Sequence, residues 1–315
     1  MRILITIFVL HMVACSSPKE EASGLDRDVI LTGLDGTKYY PPSLPVETRQ
    51  KLDSAASKAA ADFSSDPSEE HYIWYGRREA YRYHYPLAIE IFTEGLQRYP
   101  ASYKLKRHRG HRYITIRDFD HAIEDLEDAA KKMPVTPEIE RDGIPNKLNI
   151  PLSTIQFNIL YHLGLAYFLK HDYPNAERTY LKCLEFSDND DLLCATVDWL
   201  YMTYRRQGKT AEAARLLDQI HDQMKIIEND SYFRRLRMYK GNLQPADLLV
   251  VEKQEEDPDL VMATQGYGVG NWYLCQGDTT RALEIFRKVV SGKNFPAFGF
   301  IAAEKDLVLL TELKK

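Results

Sequence analysis

Apolar residues along this chain recur three or four positions apart, in short blocks broken by polar or proline-containing turns, which is the mark of amphipathic helices. Six alanines, Ala88, Ala122, Ala176, Ala213, Ala246 and Ala282, fall at the same place in successive helix-turn-helix blocks, at intervals of 34, 54, 37, 33 and 36 residues. A period near 34 predicts a stacked helical solenoid. Before the first block, residues 44–66 predict an N-terminal capping helix, with Pro45 at its start and Leu52, Ala55, Ala56, Ala59 and Ala60 on one face. Residues 297–315 predict a C-terminal capping helix with Leu307, Leu309 and Leu310 turned inward.

The blocks share finer detail. The first helix of a pair carries a large apolar residue, then glycine, then an aromatic residue three positions on. The second carries a small residue, a large apolar one four later, a second small one, and then proline. Tyr75-Gly76, Tyr85, Ala88, Phe92, Gly95 and Pro100 fit this; so do Gly110, Tyr113, Phe119, Ala122, Leu126, Ala129 and Pro134. Leu163-Gly164, Tyr167, Tyr173, Ala176, Tyr180 and Cys183 form a third block, Leu200, Tyr204, Gly208, Ala213 and Leu217 a fourth. Gly241, Ala246 and Val250 make a degenerate fifth, and Gly270, Tyr273, Gly277, Ala282 and Phe286 a sixth. This pattern resembles the tetratricopeptide repeat (TPR) family. The resemblance implies an all-α, right-handed superhelical solenoid of about six repeats, two in residues 67–134 and four in 155–296. Small residues suit the close crossing of paired helices, and proline ends a helix because it cannot donate to a continuing ladder. No pair buries its apolar face alone, so neighbours must stack.

The interval from Ala122 to Ala176 exceeds one period by 20 residues, and the excess falls at 135–154. Pro137, Pro145 and Pro151 make this an inserted, non-helical loop. Loops this long inside compact arrays are functional or disordered, and Ile144, Leu148, Ile150 and Leu152 predict that this one packs on something.

Composition adds an address. Residues 1–14 combine a positive start with an apolar run too short to span a bilayer, as a signal peptide does. The run ends at Met12-Val13-Ala14-Cys15, which resembles the lipobox of bacterial lipoproteins and implies cleavage before Cys15 and acylation there. Lys19-Glu20-Glu21 resembles the surface-export signal of Bacteroidota lipoproteins. The expected location is therefore the cell envelope, on the outer membrane through lipid at Cys15 and exposed on either face; an ordinary secretory signal is the alternative. Residues 15–43, polar with scattered glycine and proline, read as a flexible tether. The whole chain has 41 basic and 46 acidic residues and no polybasic tail, so nucleic acid is not an expected partner. Three further cysteines, an odd number, argue against a disulfide framework, although a Cys183–Cys194 bridge is conceivable.

Against that acidic background, Arg77 to Arg117 holds ten Lys or Arg and three Glu. The TPR resemblance places first-helix residues on the concave face: Trp74, Arg77 and Tyr81, then Lys104, Arg107, His108 and His111, then Tyr161 and His162, then Trp199. Roofed by the loop, with Asn146 near its middle, these predict a basic, aromatic ligand groove. Guanidinium matches carboxylate, phosphate or sulfate, so the expected partner is a peptide, protein or acidic saccharide of the envelope. His108 and His111 share a helix face and His162 lies on the next first helix. Zinc is disfavoured by the surrounding cations, and no carboxylate is evident to offset them; no metal and no cofactor are expected. The same histidines leave open an enzyme acting on an envelope sugar or peptide, and a scaffold for an envelope complex is a third reading.

Overall fold

A computed structural model describes residues 29–250 and 257–312. The proposed signal segment, Cys15 and the first part of the tether lie outside the described residues. A short hairpin, β1 (Leu31–Thr32) and β2 (Lys38–Tyr39), precedes helix α1 (Val46–Ser65). Antiparallel pairs then follow: α2 (Glu69–Tyr81) with α3 (Tyr85–Arg98), α4 (Tyr103–Thr115) with α5 (Phe119–Lys132), and α6 (Ile155–Leu169) with α7 (Tyr173–Leu184). α8 (Asp190–Arg206) pairs with the short α9 (Thr210–Leu216), and α10 (Asp230–Tyr239) is followed, among the described residues, by a 3-10 turn, Pro245–Leu248. α11 (Pro258–Cys275) pairs with α12 (Thr279–Val290), and α13 (Phe298–Glu312) closes the chain. Neighbouring helices pack on one another along the chain, with α10 packing on α8 and α11, giving the expected all-α solenoid.

Packing explains the period. A Cβ on Gly76, Gly110, Gly164 or Gly270 would come within 2.3–2.7 Å of Phe92, Leu126, Tyr180 or Phe286 respectively, each on the paired helix. Ala88, Ala122, Ala176, Ala213 and Ala282 are fully buried at those crossings. Ala246 departs from this set: it is exposed on the 3-10 turn, so among the described residues the fifth unit keeps the period without a second α-helix. Five residues before every one of the six alanines the backbone turns left-handed, at Tyr83, Arg117, His171, Gly208, Gly241 and Gly277. Glycine takes this conformation freely, whereas a bulky side chain is strained there.

The three bulky turn residues all reach the end of the chain. Tyr83 sits against Phe295, with ring centroids 6.1 Å apart. Arg117 Nε donates to Glu304 Oε2 at 2.9 Å and its Nη2 to the Phe295 carbonyl at 3.0 Å. His171 Nε2 lies 3.3 Å from Asp306, which also pairs with Arg206 and accepts from Tyr267 at 3.1 Å. The hairpin joins the same knot, since Tyr39 donates to Glu304 at 2.9 Å and stacks on Phe295 at 4.9 Å. Residues 29–43, expected as flexible tether, are therefore partly a docked hairpin, with Leu31 buried. α13 also differs from expectation. Phe300, Ile301, Ala302, Ala303, Glu304 and Asp306 are its buried residues, whereas Leu309 is exposed and Leu307 and Leu310 are only partly covered. Cys183 and Cys194 are free and buried, with no bridge between them.

Candidate functional site

The inserted loop crosses the first-helix face of α2, α4 and α6, and what fastens it there is polar. Glu138 pairs with Lys104 and accepts from Tyr103 at 2.8 Å. Its backbone N–H donates to the Gln156 side chain at 3.0 Å, and Ile139 bridges to Thr154. Two residues on, the Glu140 side chain is buried. Its Oε2 accepts from Asn158 Nδ2 at 2.8 Å and lies 3.2 Å from Arg107 Nε; its Oε1 lies 3.2 Å from His108 Nε2. Arg77 donates to the Arg141 carbonyl at 3.0 Å and Arg78 to the Gly143 carbonyl at 2.9 Å. Gly143 passes so close to Tyr81 that a Cβ would meet its hydroxyl at 1.8 Å. Of the four expected apolar anchors, Ile144, Leu148 and Ile150 are exposed, together with Val135 and Ile139, and only Leu152 is partly buried. Asn146 lines the cleft beside Arg112. It organises the loop by accepting from the Leu148 and Ile150 backbone and donating to Glu228 at 2.5 Å.

Beneath the loop the imidazoles are neutral. Arg107 Nη1 donates to His108 Nδ1 at 3.1 Å, so the ring's proton sits on Nε2, facing Glu140. His162 Nδ1 donates to the Asn158 carbonyl at 2.6 Å, and His111 lies against His162 with centroids 4.3 Å apart. Burial and then nearby arginines push all three histidines well below the usual imidazole range. Phe298, the first residue of α13, touches both His111 and His162, at 5.4 and 5.5 Å. The histidines do not share one enclosed space. His108 and His111 both line a small recess with Tyr81 and Arg107, His162 lines a second with Glu140 and Asp142, and His111 also lines a wider cleft. No group of three metal-ligating side chains forms among the described residues.

Most of the basic run is spent internally. Lys104 and Arg107 meet the loop's two glutamates, Lys106 pairs with Asp128, and Arg109 grips Asp125 at 2.7 Å. Arg112 differs. Among the described residues its guanidinium has no hydrogen bond and no ion pair; it stands over the Tyr85 ring, 5.7 Å from the centroid. Burial lowers its pKa to about 10. It lines a cleft of about 900 Å³ between the loop, the turn before α10 and the start of α13. Trp74 lies at the outer mouth of a neighbouring hollow and stacks with Arg77 at 4.5 Å; Tyr161 faces the recess beside His162. Trp199 is misplaced by the groove register. It is 1% exposed in the core, donating to the Tyr161 hydroxyl at 2.9 Å, and Asp198 and Arg235 beside it form a fully buried ion pair at 2.8 Å.

Residues 157–190, spanning α6, α7 and the start of α8, match the model of the tetratricopeptide repeat. The chain carries a tetratricopeptide repeat. No curated protein matches it. It is similar to the solved structure of YrrB, described as a TPR protein with an unusual peptide-binding site, with 14% identity, 82% of this chain and 100% of that one covered, and a TM-score of 0.42. A tetratricopeptide repeat protein from Parabacteroides merdae is 17% identical over 82% of this chain and 94% of its own, with a TM-score of 0.49. Cut9 with Hcn1, from the APC/C, is 12% identical, covering 84% of this chain and 61% of that chain, with a TM-score of 0.38.

Two residues of this site, Glu140 and Phe298, stand outside the repeat pattern of the sequence. Glu140 supplies the carboxylate that the basic cluster lacked, and its signal was the Glu138-Ile139-Glu140 alternation inside the insertion. Phe298 comes from the far end of the chain, and nothing local to it marks a meeting with His111. Curved solenoids present concave surfaces to other molecules, so protein or peptide binding, or a scaffold role, is what this architecture supports.

Proposed function

We propose that this protein is a lipid-anchored binding protein of the bacterial cell envelope, held at the outer membrane by acyl chains on Cys15, and that it captures an anionic partner, peptide or acidic glycan, in the cleft beside Arg112. The observation that carries this reading is the missing counter-ion. Of the arginines on α2 and α4, four are engaged by loop or side-chain acceptors and Arg112 is not. A half-buried guanidinium without a carboxylate is costly unless something anionic arrives. Neutral His111 and the ring of Phe298 stand next to it, offering a hydrogen-bonding group and an apolar face. Envelope anchoring rests on the residues around Cys15.

Titration of the protein with acidic peptides and acidic oligosaccharides tests the reading, with Arg112→Ala as the comparison. Binding is expected to weaken at least tenfold, about 1.4 kcal/mol, while the melting temperature holds or rises because an unpaired cation is removed. Equal affinities for the two proteins would refute the assignment.

A further inference from the structure

Resting on that reading of Arg112, we infer that the anionic group taken beside it is a tetrahedral oxyanion, phosphate or sulfate, seated in the small recess lined by α2 and α4. The recess is distinct from the wider cleft, although Arg112 and His111 line both. Its polar lining is Arg77 and Tyr81 from α2 with Arg107, His108, His111 and Arg112 from α4; Ala80 and Phe92 complete it. No carboxylate is among these residues. Glu140 stands beside Arg107 and His108, and Asp142 feels the charge of Arg77, but neither lines the recess. Burial lowers the pKa of Arg107 and of Arg112, and the charge of Arg77 lowers both further. Three guanidinium groups gathered by two helices are costly to hold together, and an anion among them offsets that cost.

The unspent donors outnumber what a carboxylate takes. Among the described residues Arg112 makes no hydrogen bond or ion pair, and neither do the Tyr81 hydroxyl and the His111 ring. Arg107 Nε is buried without a hydrogen bond, 3.2 Å from Glu140. His108 is no donor here, because Arg107 and Glu140 occupy its two nitrogens. A carboxylate is satisfied by one guanidinium fork, whereas a phosphate or sulfate group presents at least three acceptor oxygens and up to about two charges, enough to bridge forks from both helices. Size points the same way. The recess holds about 100 Å³, well below the ~300–1,000 Å³ of pockets that enclose a drug-sized ligand. It therefore takes a small ion, or one group of a larger molecule whose remainder lies in the wider cleft.

The full-length protein is titrated calorimetrically, at constant ionic strength, with inorganic phosphate, sulfate and acetate, and with glucose 6-phosphate and glucuronate. Phosphate and sulfate are expected to bind at least about tenfold tighter than acetate, and glucose 6-phosphate tighter than glucuronate by a similar factor. Glucose 6-phosphate binding tighter than inorganic phosphate identifies a group carried on a larger molecule; the reverse order identifies the free ion. Arg77→Gln, at a residue outside the wider cleft, should weaken phosphate about tenfold, and so should Tyr81→Phe, which keeps the ring and its packing. Acetate and glucuronate binding as tightly as their phosphate counterparts, or phosphate affinity unaltered in both variants, overturns the inference and leaves an anionic partner in the wider cleft standing. Acidic peptides or oligosaccharides binding where phosphate and sulfate do not overturns it in the same way. If no anion of either kind binds, the anionic-partner reading falls as well.

Discussion

His108 takes a hydrogen bond from Arg107 on one nitrogen and points its proton at Glu140 with the other, so a second proton has nowhere favourable to go. His111 and His162 are likewise held neutral, by burial and then by the arginines. In the unfolded chain each imidazole titrates at about 6.5. The unfolded state therefore binds more protons than the folded one as pH drops below that value, and the stability contributed by these groups is lost on acidification. The melting temperature should be lower at about pH 5 than at about pH 7.5, and His162→Phe should shrink the difference; a profile that is flat or rises on acidification would mean the rings are charged in the fold. Glu140 is the counterpart. With it removed, as in Glu140→Ala, Arg107 remains buried and unpaired, a loss of about 3–5 kcal/mol for a broken buried pair, measurable by urea unfolding. The clustering of Arg107, His108 and His162 was legible in the sequence because helical spacing and the repeat period locate them. Their neutrality was not, because it depends on a carboxylate that arrives from an insertion with no periodicity of its own.

The inserted loop is the element where pattern and structure part. Its apolar residues suggested burial, yet Ile144, Leu148 and Ile150 face solvent while two glutamates and two backbone carbonyls do the fastening. Residues 138–140 lie along the first-helix face, with their carboxylates on Lys104 and Arg107 and one bridge from Ile139 to Thr154. Binary patterning failed here because a few charge-assisted hydrogen bonds to a basic wall outweigh loose apolar contact. Gly143 is the tightest point of that fit. A side chain at this position, as in Gly143→Val, meets the Tyr81 hydroxyl and should lift the segment around it. Amide exchange across 139–145 should then quicken severalfold, with α6 and α7 unchanged; unaltered exchange would show that the loop is held elsewhere.

Across the whole molecule, the period announced the coil but not its closure. Each left-handed turn is five residues ahead of its alanine, and the sequence offers glycine at three of the six. Tyr83, Arg117 and His171 fill the others, and each accepts backbone strain of about 1–3 kcal/mol to hold the C-terminal segment. That substitution of bulky residues at turn positions was present in the sequence, but its meaning needed α13 to be seen beside them. Glu304 is the junction, buried between Arg117 and the hairpin's Tyr39. Glu304→Ala should cost about 3–5 kcal/mol and split one cooperative melt into two, the terminal segments loosening first. A single transition shifted only slightly would place the closure elsewhere. Open solenoids can widen or narrow like a spring to fit what they hold. Here the first and last described segments are tied to each other and to the turn residues at Glu304 and Phe295, so flexing of the coil is resisted where they meet.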